Sequence, residues 1–300
     1  MCAEHSPKLL SVDRIWDLAP HNAFCDLIYF QDTWYCAFRE SDRHQSGEEG
    51  RIRLIRSVDG EKWESSSEIR VKGLDLRDPK LSITPNGKLL LLIGSINSKN
   101  LHTQTGVMFS ENGGDWSPFQ KILEPNQWLW RLTWFEGKGY GVTYGIETPP
   151  TLYQTTNGVD YEKITEWYIP GYPSEATLRF FSNKKLVSII RRRGDAWIGT
   201  SLPPYEKWDW KETKRHLGGP NFLIMPDGSM LAAGRISEDG KPKTALLKMT
   251  FDQLEPILTL PSSGDSSYPG MVLKDRILWI CYYSSHEENQ ASIYLAKIQL

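Results

Sequence analysis

Ser57-Val58-Asp59-Gly60-Glu61-Lys62-Trp63 is the stretch whose reading decides the fold. It recurs, with decay, as Ser110-Glu111-Asn112-Gly113-Gly114-Asp115-Trp116 and as Thr155-Thr156-Asn157-Gly158-Val159-Asp160-Tyr161. Each copy reads hydroxyl, then Asp or Asn, then Gly, then an aromatic residue. That is the chemistry of a tight β-turn. The Asp or Asn side chain bonds backbone N–H groups just ahead of it, and Gly supplies a positive φ. The closing aromatic is placed to pack between neighbouring sheets. A single copy would be an ordinary hairpin. Three copies, at steps of 53 and 45 residues, have the period of a propeller-type array.

A second signal runs in phase with the first. Short alternating runs meet at polar turns six times: 26–30 with 34–38, 80–84 with 88–93, 132–135 with 140–144, 177–181 with 185–190, 222–225 with 229–233, and 270–273 with 277–282. Period-2 runs around turns such as Pro85-Asn86-Gly87 and Pro226-Asp227-Gly228 are strong local hairpin signals. Six hairpins at a near-constant interval predict an all-β fold, a six-bladed β-propeller in one domain, 1–300. Each blade has four strands, A to D from the centre outward. The hairpins are A and B, and the Gly turns join C to D. In blade four that turn decays to Ser201-Leu202-Pro203-Pro204, and in blade five to Thr250-Phe251-Asp252. Only one strand, 291–298, follows the sixth hairpin. The N-terminal segment 8–13 is therefore expected to join the last blade and close the ring, which removes exposed edges.

Composition narrows the partners. The formal net charge is −2, with no long run of one sign, so neither nucleic acid nor a membrane is an expected partner. No apolar stretch reaches the length that spans a bilayer. The first seven residues lack the apolar segment of a secretory signal, so the expected location is cytoplasmic, unless a leader has been removed. Cys2, Cys25, Cys36 and Cys281 have neither zinc-site nor disulfide-scaffold spacing, and are expected as buried free thiols. No metal and no cofactor are expected.

In a propeller the loops leading into A and the loops leaving B open onto one face. Leading into A stand His21-Asn22, Arg77-Asp78, Trp130-Arg131, Ser174-Glu175, Pro220-Asn221 and the segment 265–268. Leaving B come Arg39-Glu40, Ser95-Ile96-Asn97, Tyr144, Arg191, Arg235 and Tyr283-Ser284-Ser285-His286-Glu287. Arginines and carboxylates converging on a concave mouth point to a polar, anionic ligand. Trp128, Trp130 and Trp134 are available to stack on sugar rings.

On these residues the chain resembles the sialidase (neuraminidase) superfamily of six-bladed propellers, and its Gly turns resemble that family's Asp boxes. Ser174-Glu175-Ala176, Ile190-Arg191 and Ser267-Tyr268-Pro269 are similar to the family's Glu, Arg and Tyr positions. The segments 19–24, 75–81 and 282–287 resemble a bacterial sialidase-like branch. The resemblance implies a glycoside hydrolase, exo-acting on an acidic or polar terminal sugar. Tyr268 would be the nucleophile, because an anionic substrate repels a carboxylate. Glu175 would take its proton, and Arg191 and Arg235 would hold the anion.

The family's Arg leading into blade one is replaced here by His21-Asn22-Ala23-Phe24, with Arg39 and Arg77 as nearby substitutes. The family's acid/base lies in the blade-one loop, where Asp42, His44, Glu48 and Glu49 are all present. Asp42 and Glu49 are the catalytic candidates taken from it. Asp78, His21, Asn22, Tyr283, His286 and Glu287 complete the expected substrate contacts. The expected partner is a carbohydrate. The alternatives are a glycan-binding propeller without catalysis and a uronate-directed polysaccharide lyase, in which Tyr and His would abstract a proton.

Overall fold

Six antiparallel sheets of four strands each are arranged as blades around one axis. The computed structural model describes residues 6–45, 47–145 and 148–300; Cys2 lies outside the described residues. The innermost A strands are His21–Phe30, Leu74–Ile83, Trp128–Phe135, Ala176–Phe180, Gly218–Ile224 and Ser266–Lys274. Their B partners are Thr33–Ser41, Leu89–Asn97, Lys138–Tyr144, Leu186–Ile190, Met230–Glu238 and Ile277–Ser284. The ring closes as the sequence predicts. Lys8–Trp16 pairs antiparallel with Ser292–Gln299 as the outer strand of blade six, with Val12 opposite Ala296. Cys25, Cys36 and Cys281 are buried and free.

The Gly turns join C to D and also wedge neighbouring blades together. Asp59 Oδ1 accepts from the backbone N–H groups of Glu61 (2.8 Å) and Lys62 (2.9 Å), while Ser57 Oγ accepts from Gly60 N (2.8 Å). These bonds hold the Asp59 carboxyl down to about 2, the Lys62 amide contributing most. Gly60 has φ 74°, and a Cβ there would come within 2.6 Å of Trp279 in blade six. Gly113 meets Tyr35 of blade one in the same way, and Gly158 meets Leu90 of blade two. Each turn thus docks on the preceding blade, so the Gly is required twice, for its backbone angle and for its missing side chain.

Between the blades lie apolar clusters; one joins Phe38 and Ile55 of blade one to Tyr283, Ile293 and Leu295 of blade six. Nearer the axis the links are polar. Asp26 of blade one receives both terminal nitrogens of Arg131 from blade three (2.9 and 3.0 Å) and the Leu81 N–H from blade two (2.8 Å). Arg179 of blade four donates to Asn221 of blade five (3.0 Å), whose amide donates to the Pro269 carbonyl of blade six (3.0 Å). Burial, with Arg131 nearby, pushes Arg179 down to about 9. Lys80 sits over the Trp130 ring, 4.6 Å from its centroid, and burial lowers it too.

One feature of the A strands has no counterpart in the hairpin reading. In blades one, two, three, five and six the A–B register slips near the mouth, between Ala23 and Asp26, Arg77 and Lys80, Leu129 and Leu132, Gly218 and Asn221, and Ser267 and Gly270. In each case A carries one more residue than B, which is a β-bulge. At four of these five bulges the backbone turns left-handed: φ is 61° at Phe24, 46° at Asp78, 57° at Gly219 and 53° at Tyr268. Such angles cost a non-Gly residue about 1–3 kcal/mol, and here they re-aim the side chain.

The buried Asp26–Arg131 pair should dominate the stability of the channel. Replacing Arg131 with Leu leaves Asp26 without its counter-charge and is expected to cost about 3–5 kcal/mol, read as a lower midpoint in urea unfolding with an unchanged slope.

Candidate active site

The backbone ladder of blade four runs beyond its two inner strands. Arg191 N donates to the Glu175 carbonyl (2.9 Å), and Ser174 N donates to the Arg191 carbonyl (2.9 Å). That pairing sets the Glu175 and Arg191 side chains together at the mouth. Across the axis, the blade-six bulge turns Tyr268 toward them. Tyr268 Oη donates to Glu175 Oε1 at 2.7 Å. Arg191 Nη1 donates to the same carboxylate oxygen at 2.7 Å and to Tyr268 Oη at 2.9 Å. Ser174 Oγ donates to the other oxygen, Glu175 Oε2, at 2.8 Å. Three residues spread over 93 positions of sequence therefore form one closed triangle.

The neighbours set the charge states of this triangle. Burial and the Glu175 charge hold the Tyr268 phenol well above its ordinary value, against the pull of Arg191. Burial works to lower Arg191, but Glu175 and Tyr268 together outweigh it and leave the guanidinium above its usual range. The phenol ring is walled by Phe24 (5.3 Å between centroids) and Trp130 (5.6 Å). Gly219 lies against it, and a Cβ at that position would come within 2.8 Å of the ring. Gly219 occupies in blade five the bulge position that Tyr268 occupies in blade six, so one bulge makes room for the other.

Asp78 occupies the blade-two bulge. Its Oδ1 is buried without a hydrogen-bond partner. Burial holds the carboxyl above its ordinary value; Lys80 and Arg77 pull against that, and the Glu175 charge adds to it. Its own charge is felt at Tyr268 and at Tyr144. Tyr144 and Trp130, whose rings lie 6.4 Å apart, complete the wall.

Several expected contacts are engaged with other groups of the protein. Arg39 is fully buried and donates to Asp75 Oδ1 (2.8 and 3.1 Å) and to the Arg43 carbonyl (2.9 Å), so it holds the wall and presents no surface to a ligand. Asn22 is likewise buried, its amide donating to the Ala19 and Ala291 carbonyls. Tyr283 is buried and donates to Asp265 Oδ1 (2.9 Å). Arg77 stacks over Phe24 at 5.1 Å and donates to the His44 carbonyl and to Asp75. Arg235 donates to the Ser266 carbonyl (3.1 Å). His286 and Glu287 lie on Tyr294, away from the triangle, with Glu287 also near Arg14.

The loop carboxylates also differ from expectation. Asp42 accepts from Glu48 N (2.8 Å) and Arg43 Nε (2.8 Å), which hold it down to about 2. Glu49 is exposed and accepts from Ser98 Oγ and Gly73 N on the rim of blade two. Of the tryptophans, Trp134 bonds Ser82 between blades and is not at the mouth. Trp128 lines a groove of about 1310 Å³ that runs outward from Ser174 and Tyr144 past Trp167, Tyr168 and Tyr172.

Sequence reasoning set Trp130, Tyr144 and Asp265 at the mouth but gave Tyr144 and Asp265 no role, and it passed over Phe24 as a site residue. A signal for the bulges was nonetheless present. Asp78-Pro79, Gly219-Pro220 and Tyr268-Pro269 put proline inside an inner strand, where it belongs only at an edge or a bulge.

Comparison with solved structures places this fold among known propellers. A protein of unknown function from Dyadobacter fermentans superposes with a TM-score of 0.84 at 16% identity, covering 98% of this chain and 99% of that one. The α-L-arabinofuranosidase of Fusarium graminearum, solved with an iminosugar inhibitor, gives 0.76 at 14% identity over 97% and 98%. The sialidase of Trypanosoma rangeli gives 0.71 at 12% identity, over 94% of this chain and 55% of its own. The sequence matches no protein-family model and no curated protein.

The triangle can be tested without a substrate. Glu175→Gln removes the charge that raises Tyr268, so the phenol should ionise at lower pH than in the wild type; Arg191→Met should move it higher. Fluorine NMR of protein labelled with 3-fluorotyrosine reads both shifts, and a Tyr268 signal that titrates identically in all three proteins would contradict the geometry.

Proposed function

We propose that this protein is a retaining glycoside hydrolase, exo-acting on an acidic or otherwise polar terminal sugar, with Tyr268 as nucleophile and Glu175 as its base. The observation that carries the reading is the hydrogen bond from Tyr268 to Glu175, with Arg191 donating to both. A buried phenol with a raised pKa is a poor nucleophile alone. A carboxylate at 2.7 Å removes that obstacle by taking the proton as the new bond forms. Arg191 donates to both groups, so it stays bonded to the negative charge as that charge passes from the carboxylate to the phenol oxygen.

In the first step the glycosidic C–O bond breaks, and Tyr268 Oη bonds the anomeric carbon. The Tyr268 proton passes to Glu175, and the leaving oxygen takes a proton from Asp78. In the second step the Asp78 carboxylate takes a proton from water, which attacks the anomeric carbon. Tyr268 leaves and recovers its proton from Glu175. Asp78 replaces Asp42 and Glu49 as the acid because its carboxyl is held high and partnerless, whereas Asp42 is held low. Arg235 and the exposed edge of Arg191 supply the cationic side of the mouth, and the aromatic groove beyond Ser174 suits the rest of a glycan.

A second reading has one specific observation behind it. Arg191 is already engaged and Arg39 is buried, so few arginines are offered to a sugar carboxylate. A neutral sugar, with Glu175 itself as nucleophile, fits that economy, and the Fusarium graminearum neighbour is an arabinofuranosidase.

A panel of 4-methylumbelliferyl glycosides that includes sialic acid, uronic acids and α-L-arabinofuranose separates these readings. The first reading expects turnover of an acidic glycoside that both Tyr268→Phe and Glu175→Gln abolish. Turnover of a neutral furanoside that survives Tyr268→Phe would favour the second. Asp78→Asn should lower turnover of unactivated glycosides by about 10²–10⁴-fold and activated ones far less. Because an acid works only while protonated, wild-type activity should fall as pH rises through the elevated Asp78 pKa, and that basic limb should vanish in the variant.

A further inference from the structure

We propose that His21, His44 and Asp265 form a binding site for a divalent transition-metal cation at the lip between blades one and six. His21 Nε2 lies 2.9 Å, and His44 Nδ1 2.6 Å, from the same oxygen, Asp265 Oδ2. The three ligating atoms fall within 4.8 Å of one another. Zinc bonds imidazole nitrogen at about 2.0–2.1 Å and carboxylate oxygen at about 2.0–2.2 Å, so donors around one ion stand roughly 3–3.5 Å apart. The two nitrogen–oxygen spacings fall within a few tenths of an ångström of that range, and the two ring nitrogens, within 4.8 Å of each other, would draw together on an ion. Two imidazoles and a carboxylate select zinc, iron, nickel or copper over calcium or magnesium, which favour oxygen-only shells.

The surroundings hold these groups in place. Tyr283 Oη donates to Asp265 Oδ1 (2.9 Å), fixing the carboxylate plane and leaving Oδ2 for the ion. Asp265 N donates to Ser285 Oγ (3.0 Å), and the His44 carbonyl accepts from Arg77 (2.9 Å). The His44 ring stands edge-on to Phe24 at 5.0 Å and to His21 at 5.5 Å. The Tyr283 bond is the kind of outer hydrogen bond that orients a ligand in a metal centre, while His21 Nδ1 is buried without a partner. Side-chain exposure of 39% at His44 and 28% at Asp265 leaves the ion a path from solvent. Three protein ligands leave at least one position open, as in sites that bind water or a substrate oxygen. The same Phe24 ring packs against Tyr268, so an ion here would border the mouth. The sequence gives no warning, because positions 21, 44 and 265 follow no metal-binding spacing.

The test uses the tag-free full chain, stripped with a chelator and titrated with ZnCl₂ by calorimetry. One ion per chain is expected, with His44→Ala and Asp265→Asn each weakening affinity by about 100-fold, while His216→Ala, on a distant loop, changes nothing. Cobalt(II) substituted into the wild type should show visible d–d bands of a nitrogen-ligated ion, a readout that needs no variant to fold. Substoichiometric zinc binding, or binding that both substitutions leave untouched in folded protein, would overturn the proposal. The readout is ion occupancy, so its failure would leave the glycosidase reading standing, and the reverse holds as well.

Discussion

One extra residue in an inner strand is the constraint on which the mouth depends. An unbulged A strand points alternate side chains along the channel and away from it. The bulge breaks that alternation at the last turn before the opening. It swings Asp78 and Tyr268 over the axis, and it makes Gly219 the floor against which Tyr268 lies. Left-handed backbone at Phe24, Asp78, Ser267 and Tyr268 is unfavourable for residues with side chains. It persists because the blades on either side fix both ends of each bulge. The polar girdle from Asp26 through Arg131, Arg179 and Asn221 lies beneath and keeps the A strands at constant spacing.

The architecture was legible because it repeats. A turn that needs Gly at a fixed offset leaves the same mark in three blades, at Gly60, Gly113 and Gly158, and the hairpin phase supplies the rest. Phase also brought Glu175, Arg191 and Tyr268 together on paper, since residues at equal depth in different blades must share a face. What phase does not encode is which side chain at that depth is free. Arg39 and Arg191 both leave a B strand, yet one is sealed against Asp75 and the other reaches the mouth. That difference arises from the neighbouring blade, which no local pattern describes. The same holds for Asp42, whose loop folds back so that the Glu48 amide captures it.

Electrostatics ties the two levels together. The channel beneath the mouth carries Lys80, Arg131 and Arg179 against Asp26, with Asp78 above them. A carboxylate at Glu175 is tolerated in so buried a position because Arg191, Tyr268 and Ser174 all donate to it. Asp78 Oδ1 is buried without a donor, and burial holds that carboxyl above the ordinary carboxylate range. In the proposed mechanism that difference in surroundings is what assigns Asp78 the acid role and Glu175 the base role.

Covalent trapping tests the central claim most directly. A fluorinated analogue of a turned-over glycoside, with an activated leaving group, forms the intermediate faster than it releases it. Peptide mapping by mass spectrometry then locates the sugar. The triangle predicts one label per chain, carried by Tyr268 and absent from Tyr268→Phe. A label on Glu175, or hydrolysis with inversion and no label at all, would contradict it.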